Sequence, residues 1–225
     1  ARAHRQNGNH IITSKIEHPA VLESCKTLER QGFNITYLNV DEEGFISLEE
    51  LEEAIRPDTI LISIMFANNE IGTIEPIEQI GEIAKKHQII FHTDCVQAVG
   101  NAKIDVDKMS IDMLSMSAHK FYGPKGVGAL YVREGIQFDR IQDGGHQEKN
   151  KRSGTENVAG IVGLGKAIEI ANKYDFIYTT AGISPNDIPQ IEEELWKQLA
   201  EIEQIAKEND KKVRAIGEIG LDYYW

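Results

Sequence analysis

Apolar positions along the chain switch between two periods. Pro19 opens a stretch in which Leu22, Cys25 and Leu28 recur at helical spacing, and Gly32 closes it. Phe33 to Leu38 then reads as a short strand. Ser47 with Glu50 three residues later is a capping box, which predicts a helix over Leu48 to Ile55. The run Thr59 to Phe66 is apolar without alternation, as expected of a strand covered on both faces. Pro76 marks another helix start, with Ile77, Ile80 and Ile83 as its stripe. Further strands are predicted over Ile89 to Thr93, Ile111 to Ser117 and Val127 to Val132. Strands separated by helices in this order predict an α/β fold, a mainly parallel sheet flanked by helices. Such sheets bind ligands beyond the carboxyl ends of their strands. The polar residues after each strand are therefore where chemistry is to be sought.

Composition narrows the function classes. A chain of 225 residues has room for one or two domains. With 41% hydrophobic and 27% charged residues it is neither a disordered tail nor a membrane bundle. The net charge of −12 opposes non-specific binding to nucleic acid or to a membrane surface. Two cysteines exclude a disulfide framework and a four-cysteine zinc site, and they suit the reducing cytoplasm. The longest apolar stretch, around Ile60 to Ala67 and interrupted by Ser63, falls far short of the ~20 residues that span a bilayer. The first residues, Ala1-Arg2-Ala3-His4-Arg5, carry neither a signal core nor an initiator Met. Gly123-Pro-Lys-Gly126-Val-Gly128 lacks the spacing of a phosphate loop, and Gly163-Leu-Gly165 does not follow a strand as a dinucleotide fingerprint must.

Three strand ends carry polar clusters. These are Asn68-Asn69-Glu70 after Phe66, Asp94 with Gln97 after Thr93, and Ser117, His119 and Lys120 at the close of the next strand. A lysine, an aspartate, small hydroxyls and a histidine on one rim suit pyridoxal 5'-phosphate. That cofactor needs an amine for its Schiff base, a carboxylate facing its ring nitrogen and donors for its phosphate. Each residue also has a plainer reading. Lys120 can be a solvated lysine, Asp94 a turn cap, Asn68-Asn69 a simple turn and Thr155 a helix N-cap. His92-x-Asp94 can be two metal ligands, although no partner ligands accompany them in the sequence.

Six stretches in order make the reading specific. They are Glu17-His-Pro-Ala-Val21, Asn68-Asn-Glu-Ile-Gly72, His92-Thr-Asp-Cys-Val-Gln97, Ser115-Met-Ser-Ala-His-Lys120, Gly123-Pro-Lys-Gly126 and Arg152-Ser-Gly-Thr-Glu-Asn157. Over about residues 1–168 the chain resembles the cysteine desulfurases, fold-type-I pyridoxal-phosphate enzymes that supply sulfur for iron–sulfur clusters. The resemblance implies that Lys120 carries the cofactor and moves protons, with Asp94 on the ring nitrogen and Gln97 on the ring hydroxyl. It further implies that His18 stacks on the ring, that Asn69 lies near substrate, and that Ser117 and His119 hold the phosphate. Thr155 would reach the phosphate of a neighbouring subunit, which implies a homodimer. The implied substrate is L-cysteine, converted to alanine with a persulfide left on the enzyme, and the implied partners are iron–sulfur scaffold or sulfur-acceptor proteins. The family's N-terminal phosphate loop, nucleophilic cysteine and carboxylate-binding arginine are not found in this sequence. Cys25 reads as a core thiol on a helix stripe, and Cys95 stands where the family forms no persulfide. An inactive, truncated desulfurase core is therefore expected.

From about Ala171 the character changes. Tyr174 to Ala181 reads as a strand and Ile188 to Asn209 as a helix. Gly217-Glu-Ile-Gly-Leu-Asp222, with Gly182-Ile-Ser-Pro185 before it, resembles the TatD family of metal-dependent deoxyribonucleases, which are TIM barrels. That resemblance implies Glu218 as a metal ligand. The expected domains are thus residues 1–171, a partial pyridoxal-phosphate-binding domain, and residues 172–225, a partial strand–helix–strand. Two alternative functions accompany this division, a nuclease fragment and a non-catalytic fusion fragment.

Overall fold

A computed structural model describes residues 1–140 and 142–173. The expected elements beyond Lys173, and Glu218 with them, lie outside the described residues. The chain divides into two compact units, Ala1–Ile168 and Glu169–Trp225. The first holds strands β1 (His10–Ser14), β2 (Asn34–Leu38), β3 (Thr59–Ser63), β4 (Ile90–Asp94), β5 (Met113–Ser117) and β6 (Gly128–Val132). Between and after them run helices α1 (Pro19–Arg30), α2 (Leu48–Ala54), α3 (Ile77–Lys86), the short α4 (Gln147–Asn150) and α5 (Val158–Lys173). The six strands form one sheet in the order β2-β1-β3-β4-β5-β6. All neighbours are parallel except β5 and β6.

Local chemistry accounts for the elements, with some corrections. Pro19 sits at the first turn of α1, where its missing N–H costs nothing, and His18 Nδ1 accepts the N–H of Ala20 at 3.1 Å. The capping box before α2 is one-sided. Ser47 Oγ accepts the N–H of Glu50 at 3.1 Å, but the Glu50 carboxylate turns instead to Asn39 Nδ2 at 3.0 Å. Asn39 at the end of β2 thus captures the side chain that the box would have used. The stripe of α3 is rotated: Ile77, Ile80, Gly81 and Ala84 are buried, whereas Ile83 is half-buried. Gly81 faces the Met109 carbonyl so closely that an added Cβ would stand 1.9 Å from its oxygen, so the helix docks there on bare backbone. The cap of α5 is Asn157, whose Oδ1 accepts the N–H of Gly160 at 3.0 Å, and not Thr155. Strand β5 starts at Met113, two residues later than expected, because the turn ahead of it consumes Ile111 and Asp112 in bonds to Val106 and Phe91.

Strand pairing gives the sheet two unlike faces. Ile12, Ile62, Phe91 and Leu114 point to one side and join the main core with Leu51 of α2 and Ile77 and Ile80 of α3. Leu164, Ala167 and Ile168 of α5 pack against the same cluster. On the other side, Ile11, Phe33 and Ile60 form a smaller cluster with Leu28 of α1. Toward β5 that second face turns polar: Ser63, His92, Asp94, Ser115 and Ser117 all lie on it. The expectation of a covered run holds: Thr59, Ile60 and Ile62 to Phe66 are buried and Leu61 is half-buried, although the strand itself ends at Ser63.

Two histidines cross-link the strands. Fully buried His10 lies between Thr59 Oγ1 at 2.7 Å and Thr36 Oγ1 at 2.8 Å, joining β2, β1 and β3. His92 lies between Ser63 Oγ at 2.8 Å and Ser115 Oγ at 2.9 Å, joining β3, β4 and β5. Both ring nitrogens of His92 are thus engaged by hydroxyls, which disposes of the metal-ligand reading for it. Burial of the ring pushes its pKa down to about 4. Both hydroxyl partners can donate or accept, so a neutral ring is satisfied here.

Two outcomes follow from this packing. Phe91→Ala, at a side chain with no exposure, should cost about 3–5 kcal/mol in urea denaturation. The His92 cross-link should give stability an acid limb. An unfolded histidine takes its proton near pH ~6.5, before the folded one does. The contribution is therefore complete above that pH and lost as pH falls toward about 4. In His92→Gln the difference from the parent protein should shrink across that window; pH-independent differences in urea midpoints would contradict it.

Candidate functional site

The order β2-β1-β3-β4 contains a reversal. From β1 the chain steps outward to β2, then crosses back to β3 on the other side of β1 and proceeds toward β5. Connections leaving β1 and β3 diverge to opposite faces, which opens a crevice at their carboxyl ends. Four rim segments meet along this edge, in sheet order: Lys15–His18 after β1, Ile64–Glu70 after β3, Cys95–Gln97 after β4 and Ala118–Lys120 after β5.

Each segment is held by its own local bonds. After β1, Glu17 is buried, and its Oε1 accepts from Ser14 Oγ at 3.0 Å and from the N–H of Met65 at 2.7 Å. His18 follows as the exposed cap of α1. After β3, Asn68 is the structural member of the Asn pair. Its Nδ2 donates to the Ile16 carbonyl at 2.8 Å, and its Oδ1 accepts the N–H groups of Glu70 at 2.8 Å and Ile71 at 3.0 Å. The turn reading applies to Asn68, and it leaves the neighbouring Asn69 exposed on the rim.

After β4, Asp94 does cap a turn, as its plainer reading held: Oδ1 accepts the N–H of Val96 at 2.9 Å. The second carboxylate oxygen accepts no hydrogen bond among the described residues, although Asp94 is buried. Gln97 is half-buried just beyond. After β5, Ser117 Oγ and His119 Nδ1 lie 2.8 Å apart. Lys120 sits in a single 3-10 turn, Ala118–Phe121, ended by Tyr122 in the left-handed conformation. Gly123 closes this turn by donating its N–H to the Ala118 carbonyl at 2.8 Å, and a Cβ there would lie 2.9 Å from that same oxygen. The turn requires glycine. The Lys120 amine is half-buried and has no ion-pair partner among the described residues.

His18, Asn69, Asp94, Gln97, Ser117, His119 and Lys120 therefore come to one rim. Thr155 is exposed, three residues ahead of α5. Among the described residues the rim offers a primary amine without an ion-pair partner, a buried carboxylate with one oxygen that accepts no hydrogen bond, and a hydroxyl–imidazole pair. This donor set fits a cationic ring nitrogen, a carbonyl carbon and a phosphate, the three functional ends of pyridoxal phosphate. Glu17 and Glu75 belong to the same neighbourhood, and their roles were not legible from residue type. Both are buried, both keep one carboxyl oxygen without a partner, and burial pushes their pKa values up to about 8 and about 7. The two thiols are core groups. Cys25 and Cys95 are buried, and burial pushes them up to about 11 and about 12. Among the described residues no group of three or more metal-ligating side chains occurs, and no helix is long and apolar enough to cross a membrane.

Comparison with known proteins agrees with the geometry. The chain is 63% identical over 171 residues to the cysteine desulfurase IscS of Clostridium botulinum, a match that covers 76% of this chain and 43% of that protein. Among solved structures it resembles SspA in complex with cysteine (TM-score 0.72, 51% identity, 75% of this chain and 49% of that one). It also resembles a NifS-like protein (TM-score 0.74, 47% identity, 77% and 48%). The chain thus spans less than half the length of these relatives. Cysteine desulfurases and class-V aminotransferases depend on pyridoxal phosphate. The family model described as aminotransferase class-V matches residues 1–220, across the segment that carries the nuclease-like motif. With the doubly wound sheet and the lysine-bearing rim, this match shows that the chain belongs to the class-V aminotransferase family.

Proposed function

We propose that this chain carries the cofactor-binding part of a cysteine desulfurase, and that Lys120, Asp94, Gln97, His18, Asn69, Ser117 and His119 are the residues that hold pyridoxal phosphate and substrate. The observation that carries the reading is that Lys120, whose amine has no ion-pair partner among the described residues, sits in the turn after β5, next to β4, which ends at the buried Asp94 with one carboxylate oxygen accepting no hydrogen bond among the described residues. When bound, pyridoxal phosphate supplies an electron-poor ring that stabilises negative charge at the α-carbon of an amino acid. Asp94 would accept the ring N–H and favour the protonated form of that nitrogen, and Ser117 and His119 would donate to the phosphate. Lys120 is the attachment point and, at the end of a short rigid turn, can accept and return a proton. His18 Nδ1 is occupied by the Ala20 amide, so a neutral ring carries its proton on Nε2 and presents a fixed face to the rim.

The substrate class is an L-cysteine-like amino acid, in keeping with the cysteine-bound relative. A homodimer completed by Thr155 across the interface, a cytoplasmic setting, and transfer of sulfur to an acceptor or iron–sulfur scaffold protein complete the proposal. The nuclease reading of residues 172–225 rests on Glu218 and its motif alone and draws no support from these comparisons.

Borohydride treatment after addition of pyridoxal phosphate should place the label on Lys120, and Lys120→Ala should abolish it. Labelling spread over other lysines, or retained in that variant, would remove Lys120 from the role. The second outcome concerns sulfur. The only two thiols of the chain are buried and held protonated, so this chain alone should release no sulfide from cysteine beyond the background of free pyridoxal phosphate. Release that Cys25→Ser or Cys95→Ser abolishes would overturn this.

A further inference from the structure

Glu17 occupies the point where the sheet reverses direction. It follows β1, and it bonds forward to Met65, the second residue past β3. The two strands that diverge at the crevice are thereby joined through one side chain. Asn68 makes a second tie across the same gap, to the Ile16 carbonyl. Between them, these bonds set the separation of the turn bearing His18 from the loop bearing Asn69.

The surroundings of Glu17 oppose a charge. Its residue exposure is 3%, Oε2 has no hydrogen-bond partner, and the two groups that act on Oε1 are a hydroxyl and one backbone N–H. The ionisable groups that face it are Asp94 at the end of β4, Glu75 ahead of α3 and the Cys25 thiol on α1. Asp94 and Glu75 are both acids. A carboxylate buried among acids with an oxygen unpartnered is strongly disfavoured, whereas a neutral acid leaves only one O–H unsatisfied.

We propose that Glu17 is a positioning residue of the rim, held as a neutral carboxylic acid that clasps the His18 turn to the segment after β3 beside Asp94 at the crevice. The proposal rests on the reading of this rim as the cofactor site. Loss of the Glu17 proton would leave a charge in a buried site beside Asp94 and Glu75, so the geometry around the adjoining His18 turn should change with it.

The sign of the pH effect follows from the shift. An unfolded glutamic acid loses its proton near ~4.3, whereas the folded one keeps it to about 8. The folded state therefore binds more protons across that window, and stability falls as pH rises through it.

The test uses the full chain without added cofactor, as the parent protein and as Glu17→Gln, a neutral isostere that keeps the acceptor for Met65 and Ser14. Infrared spectra at pH ~6 should show a protonated-carboxyl C=O band that is lost in Glu17→Gln. Melting temperatures from pH ~5 to ~9 should fall more steeply for the parent, by on the order of 5 °C over the range. The His18 ring resonances of the parent should move as pH passes about 8 and stay fixed in Glu17→Gln. Absence of the C=O band difference, or His18 resonances that track each other in parent and Glu17→Gln, would overturn the proposal. A parallel visible scan with pyridoxal phosphate separates the two claims. Failure of every variant to bind it counts against the cofactor reading, while the infrared and His18 measurements still decide the state of Glu17.

Discussion

The lateral pairing of β3, β4 and β5 is the constraint on which the rim depends. In-register parallel neighbours share a face, so Ser63, His92 and Ser115 point together, and Asp94 and Ser117 follow two residues on. A slip of one residue would send these polar groups into the main core and bring Phe91 and Leu114 out of it. The apolar side makes that slip costly, since Ile62, Phe91 and Leu114 are almost wholly enclosed. The polar side adds a second lock, because imidazole bonds to hydroxyls on both flanking strands form only in this register.

That lock also determines where the chemistry falls. Asp94 at the end of β4 is level with Ser115, and β5 runs on two residues to Ser117, because the strands beneath them are pinned. The short turn after Ser117 then places Lys120 one step beyond. It tolerates no slack, since Gly123 closes against the Ala118 carbonyl in a space where a side chain would not fit. A side chain on a short, closed turn or on a pinned strand loses little conformational entropy if it binds a ligand.

The crevice itself is stabilised at some cost. Parallel β1 and β3 send their connections to opposite faces, and the gap between them exposes backbone groups that need partners. Glu17 and Asn68 supply those partners, but Glu17 does so from a position that water does not reach. Buried acids with an unpartnered oxygen, at Glu17 and Glu75, are more common at functional sites than in inert cores. The contrast with the thiols is instructive. Cys25 and Cys95 are buried as well, yet they act as small apolar groups, because a thiol loses little when it leaves water.

The amino-acid order by itself determined the alternation of strands and helices, the rim as the place for chemistry, and the set of residues that suit pyridoxal phosphate. These depend on short-range periodicity and on motifs a few residues long, such as Ser115 to Lys120, which survive without knowledge of neighbours. Only the tertiary structure decided the rest. The Glu50 side chain left the capping box because Asn39 from another element reached it first. His92 became a neutral strut because two hydroxyls from separate strands enclose it, not a ligand as its spacing to Asp94 allowed. Glu17 lies inside a recognisable motif, but its protonation is invisible there, because burial beneath Met65 and the nearness of Asp94 and Glu75 are made by segments roughly fifty to eighty residues away. Residue type and spacing carry local geometry; the charge on a group depends on what the whole fold brings around it.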